Sequence, residues 1–120
     1  MAMANYVYYH NARCSKSRQA LAFLTENDIQ VDIIEYMKAP LKLNEISALF
    51  TALGFDSAID MVRIKEQEFA TSGISETSSN NEIINAISVY PKLLERPILT
   101  DGKNAVIGRP LENIQKLVGL

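Results

Sequence analysis

The 120-residue chain has one cysteine, one histidine and no tryptophan. A lone cysteine cannot close an intramolecular disulfide, form a Cys-x-x-Cys redox pair, or supply a thiolate cluster for zinc or iron–sulfur, and no metal site is expected. Any redox chemistry must therefore borrow its second thiol from another molecule. Charge of one sign is also missing: 12 Lys and Arg against 14 Asp and Glu leave a net charge of −2. That balance lacks the basic field of a nucleic-acid binder, so no nucleic-acid partner is expected. Long hydrophobic runs are absent as well. The longest, Ala20 to Leu24, falls far short of the roughly 20 apolar residues that span a bilayer, and no membrane association is expected. Met1 to Ala4 carry no positive side chain and Asn5 interrupts the apolar start, unlike a secretory leader. A cytoplasmic protein is expected.

With 48% apolar and 22% charged residues, the chain can build an ordinary core without cross-links, and its length fits one domain over residues 1–120. No repeats, low-complexity stretches or charge blocks divide it.

Asn5 to Tyr9 and Val31 to Glu35 have strand length and β-branched or aromatic character. Between them Ser15 to Asn27 carries Ala20, Leu21, Phe23 and Leu24 toward one helical face. This predicts a β-α-β unit with parallel strands and a right-handed crossover. Leu43, Ile46, Leu49, Phe50 and Leu53 predict a second helix ended by Gly54. A short helix is expected from Ser57 to about Lys65, then a loop from Glu66 to Thr77. Ser79-Asn80-Asn81-Glu82 has capping-box form and opens a helix through Ile83, Ile84, Ile87 and Tyr90, stopped at Pro91. Pro97 to Thr100 and Lys103 to Ile107 read as strands joined by a two-residue Asp101-Gly102 turn. Pro110 is expected at the first position of a closing helix with Leu111, Ile114, Leu117 and Val118 on its apolar face. The order β-α-β, inserted helices, β-β-α predicts an α/β, thioredoxin-like fold: a mixed four-stranded sheet with helices on both faces. Cys14 then falls between the first strand and the first helix.

His10 to Arg18 gathers the thiol, Arg13, Lys16 and Arg18, the histidine, and hydroxyl and amide donors. Unpaired N–H groups at a helix start favour an anion, and a thiolate is one. Lowering a cysteine pKa from about 8.5 by two units takes roughly 2.7 kcal/mol. A helix terminus contributes about 0.3–1 kcal/mol, so cations and a hydroxyl donor must supply the rest. Ser17, one helical turn beyond Cys14, is expected to donate its O–H to the sulfur, and Arg18 to reach the same helix end. The rival reading, a buried small hydrophobe, sits poorly with flanking Arg13, Ser15 and Lys16. His10 fits a structural hydrogen-bonder as well as a catalytic partner.

Tyr9-His10-Asn11, Cys14 and Ser17-Arg18 together resemble the active-site loop of the glutaredoxin-coupled, glutathione-dependent arsenate reductases. Arg63 in Ile59-Asp60-Met61-Val62-Arg63, Glu95-Arg96-Pro97-Ile98 and Gly108-Arg109-Pro110 resemble the family's other signature segments, in order. The likeness runs from Tyr6 to Val118 and is greatest to the short chromosomal branch. It implies that the Cys14 thiolate attacks arsenate, tuned by His10 and Arg18 and hydrogen-bonded by Ser17. Arg63, Arg96 and Arg109, with Asn11, would bind the oxyanion. By residue type alone Arg63 reads better as a solvated surface residue, whereas Arg96 and Arg109 each precede a proline. The resemblance also implies a cis Arg96–Pro97 bond facing the cysteine and a peptide-like thiol. No tightly bound cofactor is implied; glutathione would be the co-substrate and glutaredoxin the protein partner. Two departures stand out: Ala12 where the family usually has proline, and Ser17 where related RNA-polymerase-binding regulators carry a second cysteine. The alternatives are a monothiol oxidoreductase acting on glutathione mixed disulfides or another oxyanion, and a non-enzymatic regulator of RNA polymerase.

Overall fold

A computed structural model describes residues 6–120; Asn5, expected in the first strand, and Met1 to Ala4 lie outside them. The elements in chain order are β1 (Tyr6–Tyr9), α1 (Ser15–Glu26), β2 (Val31–Ile34), α2 (Leu43–Leu53), a 3₁₀ turn (Ala58–Met61), α3 (Gln67–Ser72), α4 (Asn80–Val89), a second 3₁₀ turn (Pro91–Leu93), β3 (Ile98–Thr100), β4 (Ala105–Ile107) and α5 (Glu112–Leu117). They fall into two compact units. One contains the described residues up to Tyr36 together with Arg96–Leu120, and the other is Met37–Glu95.

The first unit is built on a four-stranded mixed sheet in the order β2-β1-β3-β4. β1 and β2 are parallel, with Tyr6 opposite Val31 and Tyr9 opposite Ile34. β3 runs antiparallel to both β1 and β4. Tyr8 pairs with Leu99, and Leu99 with Val106, so these three side chains emerge on one face of the pleat. Ala20 and Leu24 of α1 and Ile114 of α5 pack with Tyr8 and Leu99 there into a solvent-free cluster. The alternation of β1 and the apolar stripe of α1 are thus two halves of one core.

Tyr8 also joins strand to helix. Its hydroxyl donates to the Ser17 carbonyl, and burial pushes its pKa up to about 12, so the phenol keeps its proton. The chain end of β1 is held in turn by His10 N–H on the Ile34 carbonyl at 2.9 Å. These bonds set where α1 starts.

Two expectations in this unit are corrected. The β3–β4 connection spans residues 101–104 rather than two residues, because Thr100 faces Ala105. The Asp101 carboxylate accepts from the N–H groups of Lys103 and Asn104 at 2.9 and 2.7 Å, and Gly102 supplies the positive φ of 95°. An aspartate bonding the backbone two and three residues on favours this longer turn. Pro110 is not the first helical residue. Arg109–Pro110 is cis, as is Arg96–Pro97, and α5 begins at Glu112. The cis geometry of Arg96–Pro97 matches the expectation from the family likeness.

In the second unit α4 packs against α2 and both 3₁₀ turns. Gly54, with φ of 72°, ends α2. Ser79 and Glu82 form the expected capping box on α4, with bonds of 3.2 and 2.8 Å. The helix expected over Ser57 to Lys65 shrinks to the turn Ala58–Met61. Val62 instead forms an antiparallel bridge with Leu94, flanked by Arg63 N–H to Leu93 C=O at 2.7 Å and Glu95 N–H to Met61 C=O at 2.9 Å. A bridge partner 32 residues away overrode a local preference. The expected loop over Glu66 to Thr77 contains α3, a helix too short to display a 3.6-residue period, closed by Gly73 at φ 76°.

Candidate active site

Cys14 is the N-cap of α1, with φ −91° and ψ 122°, so its side chain stands beside the unpaired N–H groups of the first turn. Three local bonds shape the loop before it. Asn11 Oδ1 accepts from Arg13 N–H at 3.0 Å, the Asn11 carbonyl accepts from Cys14 N–H at 3.0 Å, and Arg18 Nη1 donates to the Ala12 carbonyl at 2.8 Å. Asparagine closing a turn on itself and arginine clasping the preceding carbonyl hold the loop without the family's proline at position 12.

Ser17 is fully buried, and its hydroxyl is not on the sulfur. It meets His10 Nδ1 at 2.7 Å and accepts from Asn11 N–H at 3.1 Å. The backbone N–H of Ser17, not its O–H, faces Sγ and favours the thiolate. This corrects the expected hydroxyl–sulfur bond: a buried imidazole and a buried amide both needed a partner, and one hydroxyl serves both. His10 is itself buried. Desolvation lowers its pKa, with Glu35 raising and Arg18 lowering it, so near neutral pH the ring is uncharged and its place is behind the loop. Asn11 Oδ1 is likewise engaged within the loop, accepting from the Arg13 N–H. Arg18 clasps the loop at the Ala12 carbonyl.

Two arginines from the far end of the chain do reach Cys14. Arg109 Nη2 donates to Sγ at 3.2 Å, and its Nε donates to the Arg96 carbonyl at 2.7 Å. The Arg96 guanidinium also favours the thiolate. Gly108 N–H donates to the Pro97 carbonyl at 2.8 Å, which ties the two arginine-bearing segments together. Burial pushes the Cys14 pKa up, but the Ser17 N–H, Arg96, the Lys16 N–H and the Arg109 charge outweigh it, and the net shift is downward. The N–H contributions of Lys16 and Ser17 had a signal in the sequence, the helix start itself; no residue pattern disclosed which backbone groups would face the sulfur.

Arg63 belongs to the second unit. Its Nε lies 3.2 Å from Glu66 Oε1 and its Nη1 3.7 Å from Glu95 Oε1, with the side chain mostly covered. No cluster of three or more metal-ligating side chains occurs among the described residues, and none of their helices is long and apolar enough to cross a membrane.

This environment predicts a titration result. The ultraviolet thiolate absorbance of Cys14 should give an apparent pKa below the ordinary value of about 8.5. Arg96→Ala and Arg109→Ala should each raise it, Arg96→Ala the more. An unshifted thiol, or one indifferent to both substitutions, would contradict the assigned causes.

The sheet order and the cysteine at the start of the first helix define a thioredoxin-like protein carrying one thiol. Residues 9–117 match the ArsC family, and the chain belongs to it. It is 40% identical over 111 residues to an arsenate reductase of Neisseria meningitidis serogroup A, covering 92% of this chain and 95% of that protein. It is 38% identical over 112 residues to the uncharacterized protein YfgD of Escherichia coli K12, covering 92% and 94%. A solved arsenate reductase from Vibrio cholerae superposes with a TM-score of 0.88 at 33% identity, covering 92% of this chain and 95% of that one.

Proposed function

We propose that this chain reduces arsenate to arsenite in the cytoplasm, with Cys14 as nucleophile, glutathione as co-substrate and glutaredoxin as the protein that restores the thiol. The observation that carries the reading is the 3.2 Å approach of Arg109 to the Cys14 sulfur, beside a thiol whose pKa is lowered. Arsenate is an anion near neutral pH, and an anionic sulfur attacks it only where fixed positive charge offsets the repulsion. Arginine suits the task because it keeps its proton and its planar fork grips two oxygens. Relatives bearing the name arsenate reductase add support.

In the first step the Cys14 thiolate forms a sulfur–arsenic(V) bond as one arsenate oxygen leaves as water. Glutathione then adds to arsenic through its sulfur, releasing a second oxygen as water. The two sulfurs join as a mixed disulfide while arsenic takes up the electron pair, becomes arsenic(III) and leaves as arsenite after hydration. The net change is one Cys14 thiol, one glutathione and arsenate converted to the mixed disulfide, arsenite and one water. Glutaredoxin clears the disulfide. The motif match alone assigns Arg63 an oxyanion-binding task.

A single turnover with arsenate and glutathione, without glutaredoxin, should leave one glutathione on Cys14 by mass spectrometry and one equivalent of arsenite. Arsenite formed without any adduct on Cys14, or no arsenite at all, would overturn the mechanism. One observation favours a second reading. Arg63 is already paired with Glu66 and Glu95, which balances a charge that arsenate would use. The uncharged sulfur of a glutathione mixed disulfide needs it less. A kcat/KM for such a disulfide well above that for arsenate would select that substrate.

A further inference from the structure

A cavity of about 430 Å³ opens directly beside the guanidinium that touches the Cys14 sulfur. This volume lies within the range of pockets that hold small ligands, roughly 300–1,000 Å³. Arg109 forms one edge, Lys16 and Gln19 line the α1 side, and Pro110, Leu111 and Glu112 line the other. Lys16, Gln19 and Glu112 are all exposed. The pocket therefore presents an ammonium, an amide and a carboxylate around an apolar wall, and Arg109 on its edge is the residue that donates to the Cys14 sulfur. A bare oxyanion would have no use for Glu112 or for the wall.

We propose that this cavity is the recognition site for the peptide portion of the thiol co-substrate, a small zwitterionic thiol of glutathione chemistry. Such a thiol carries two carboxylates, one ammonium and two amides, which the wall complements in kind. Lys16 receives a carboxylate, Glu112 receives the ammonium and Gln19 pairs with an amide. The co-substrate's sulfur then enters past Arg109, on the side from which it can reach arsenic bound to Cys14. The proposal rests on the reading that glutathione is the co-substrate, and it assigns residues to a step in which Lys16, Gln19 and Glu112 otherwise have no part. The charged side chains that tune Cys14 are Arg96 and Arg109, and Lys16 acts there through its backbone N–H. Glu112 is not among the groups that tune Cys14, so a change at its carboxylate reports on the incoming thiol.

Two measurements test this. In the first, S-methylglutathione, which cannot react, is titrated into the unmodified protein and followed by amide NMR. Shifts are expected at Lys16, Gln19 and residues 108–112, with affinity about tenfold weaker in Lys16→Glu and in Glu112→Lys, and recovered in Lys16→Arg. In the second, arsenate reduction is measured against glutathione and against the uncharged thiol 2-mercaptoethanol. Glu112→Gln should raise KM for glutathione about tenfold and leave KM for 2-mercaptoethanol unchanged. Binding elsewhere, binding indifferent to both charge reversals, or equal losses with the two thiols would overturn the proposal. If S-methylglutathione binds as described but the protein reduces no arsenate, the pocket stands and the arsenate reading fails. If arsenate is reduced with glutathione yet these shifts are missing, the reverse holds.

Discussion

Cys14→Ser is expected to abolish arsenate turnover with glutathione and glutaredoxin, by roughly 10³-fold or more, while the protein remains folded. A serine hydroxyl is scarcely ionised where a lowered cysteine pKa yields thiolate, and oxygen cannot supply one sulfur of the disulfide whose formation reduces arsenic. The helix start, the Tyr8 bond to the Ser17 carbonyl and the Ser17–His10 contact do not involve the sulfur, so the scaffold survives. The stability difference carries its own signature. Because the folded pKa of Cys14 is depressed, the stabilisation from its ionisation is complete above the unfolded value, about 8.5, and lost as pH falls through the folded value. The unfolding midpoint of the parent, relative to Cys14→Ser, should therefore rise with pH over that window. Arsenate turnover near that of the parent would remove Cys14 from the chemistry, and a pH-independent stability difference would remove the depressed pKa.

The second large effect is on stability. Gly108→Ala should destabilise the protein by about 1–3 kcal/mol in urea unfolding, the range for forcing a methyl group into a packed core. A Cβ at Gly108 would stand 2.5 Å from Ile114 Cδ1 and 2.8 Å from Pro97 Cγ. Ile114 is fully buried in the cluster with Tyr8 and Leu99, and Pro97 is fully buried as well, so neither neighbour moves freely. Gly108 precedes Arg109, and its N–H is bonded to the Pro97 carbonyl. Displacing it should also shift the guanidinium from the sulfur and raise the Cys14 pKa. A variant as stable as the parent, with an unchanged thiol titration, would show that the corner relaxes without strain.

The parts of this fold legible along the chain are those stabilised by neighbours in sequence. Ser15–Glu26 is a helix because Ala20 and Leu24 share a stripe free of glycine and proline. Gly54 ends α2 through a left-handed φ, and Ser79 and Glu82 cap α4 through reciprocal bonds within four residues. The failures occur where a distant or very short contact prevails. Val62 leaves its expected helix to pair with Leu94, α3 is too brief to show a period, and Arg109–Pro110 takes a cis bond before α5. The candidate site divides the same way. The motif order singled out Cys14, Arg96 and Arg109, but the tasks of Ser17, His10 and Asn11 depended on which buried groups lacked partners.

By itself the sequence determined that this chain carries one thiol, that the thiol lies at a helix start among cations, and that any disulfide chemistry would take its second sulfur from another molecule. These follow from counting and from local backbone geometry, which act within a few residues. Only the tertiary structure decided that Arg109, 95 residues away, donates to that thiol, that the Ser17 hydroxyl turns to His10, and that Lys16 and Glu112 border one cavity. Such choices are made when buried donors and acceptors must all be satisfied at once, a condition set by the packed sheet and helices together.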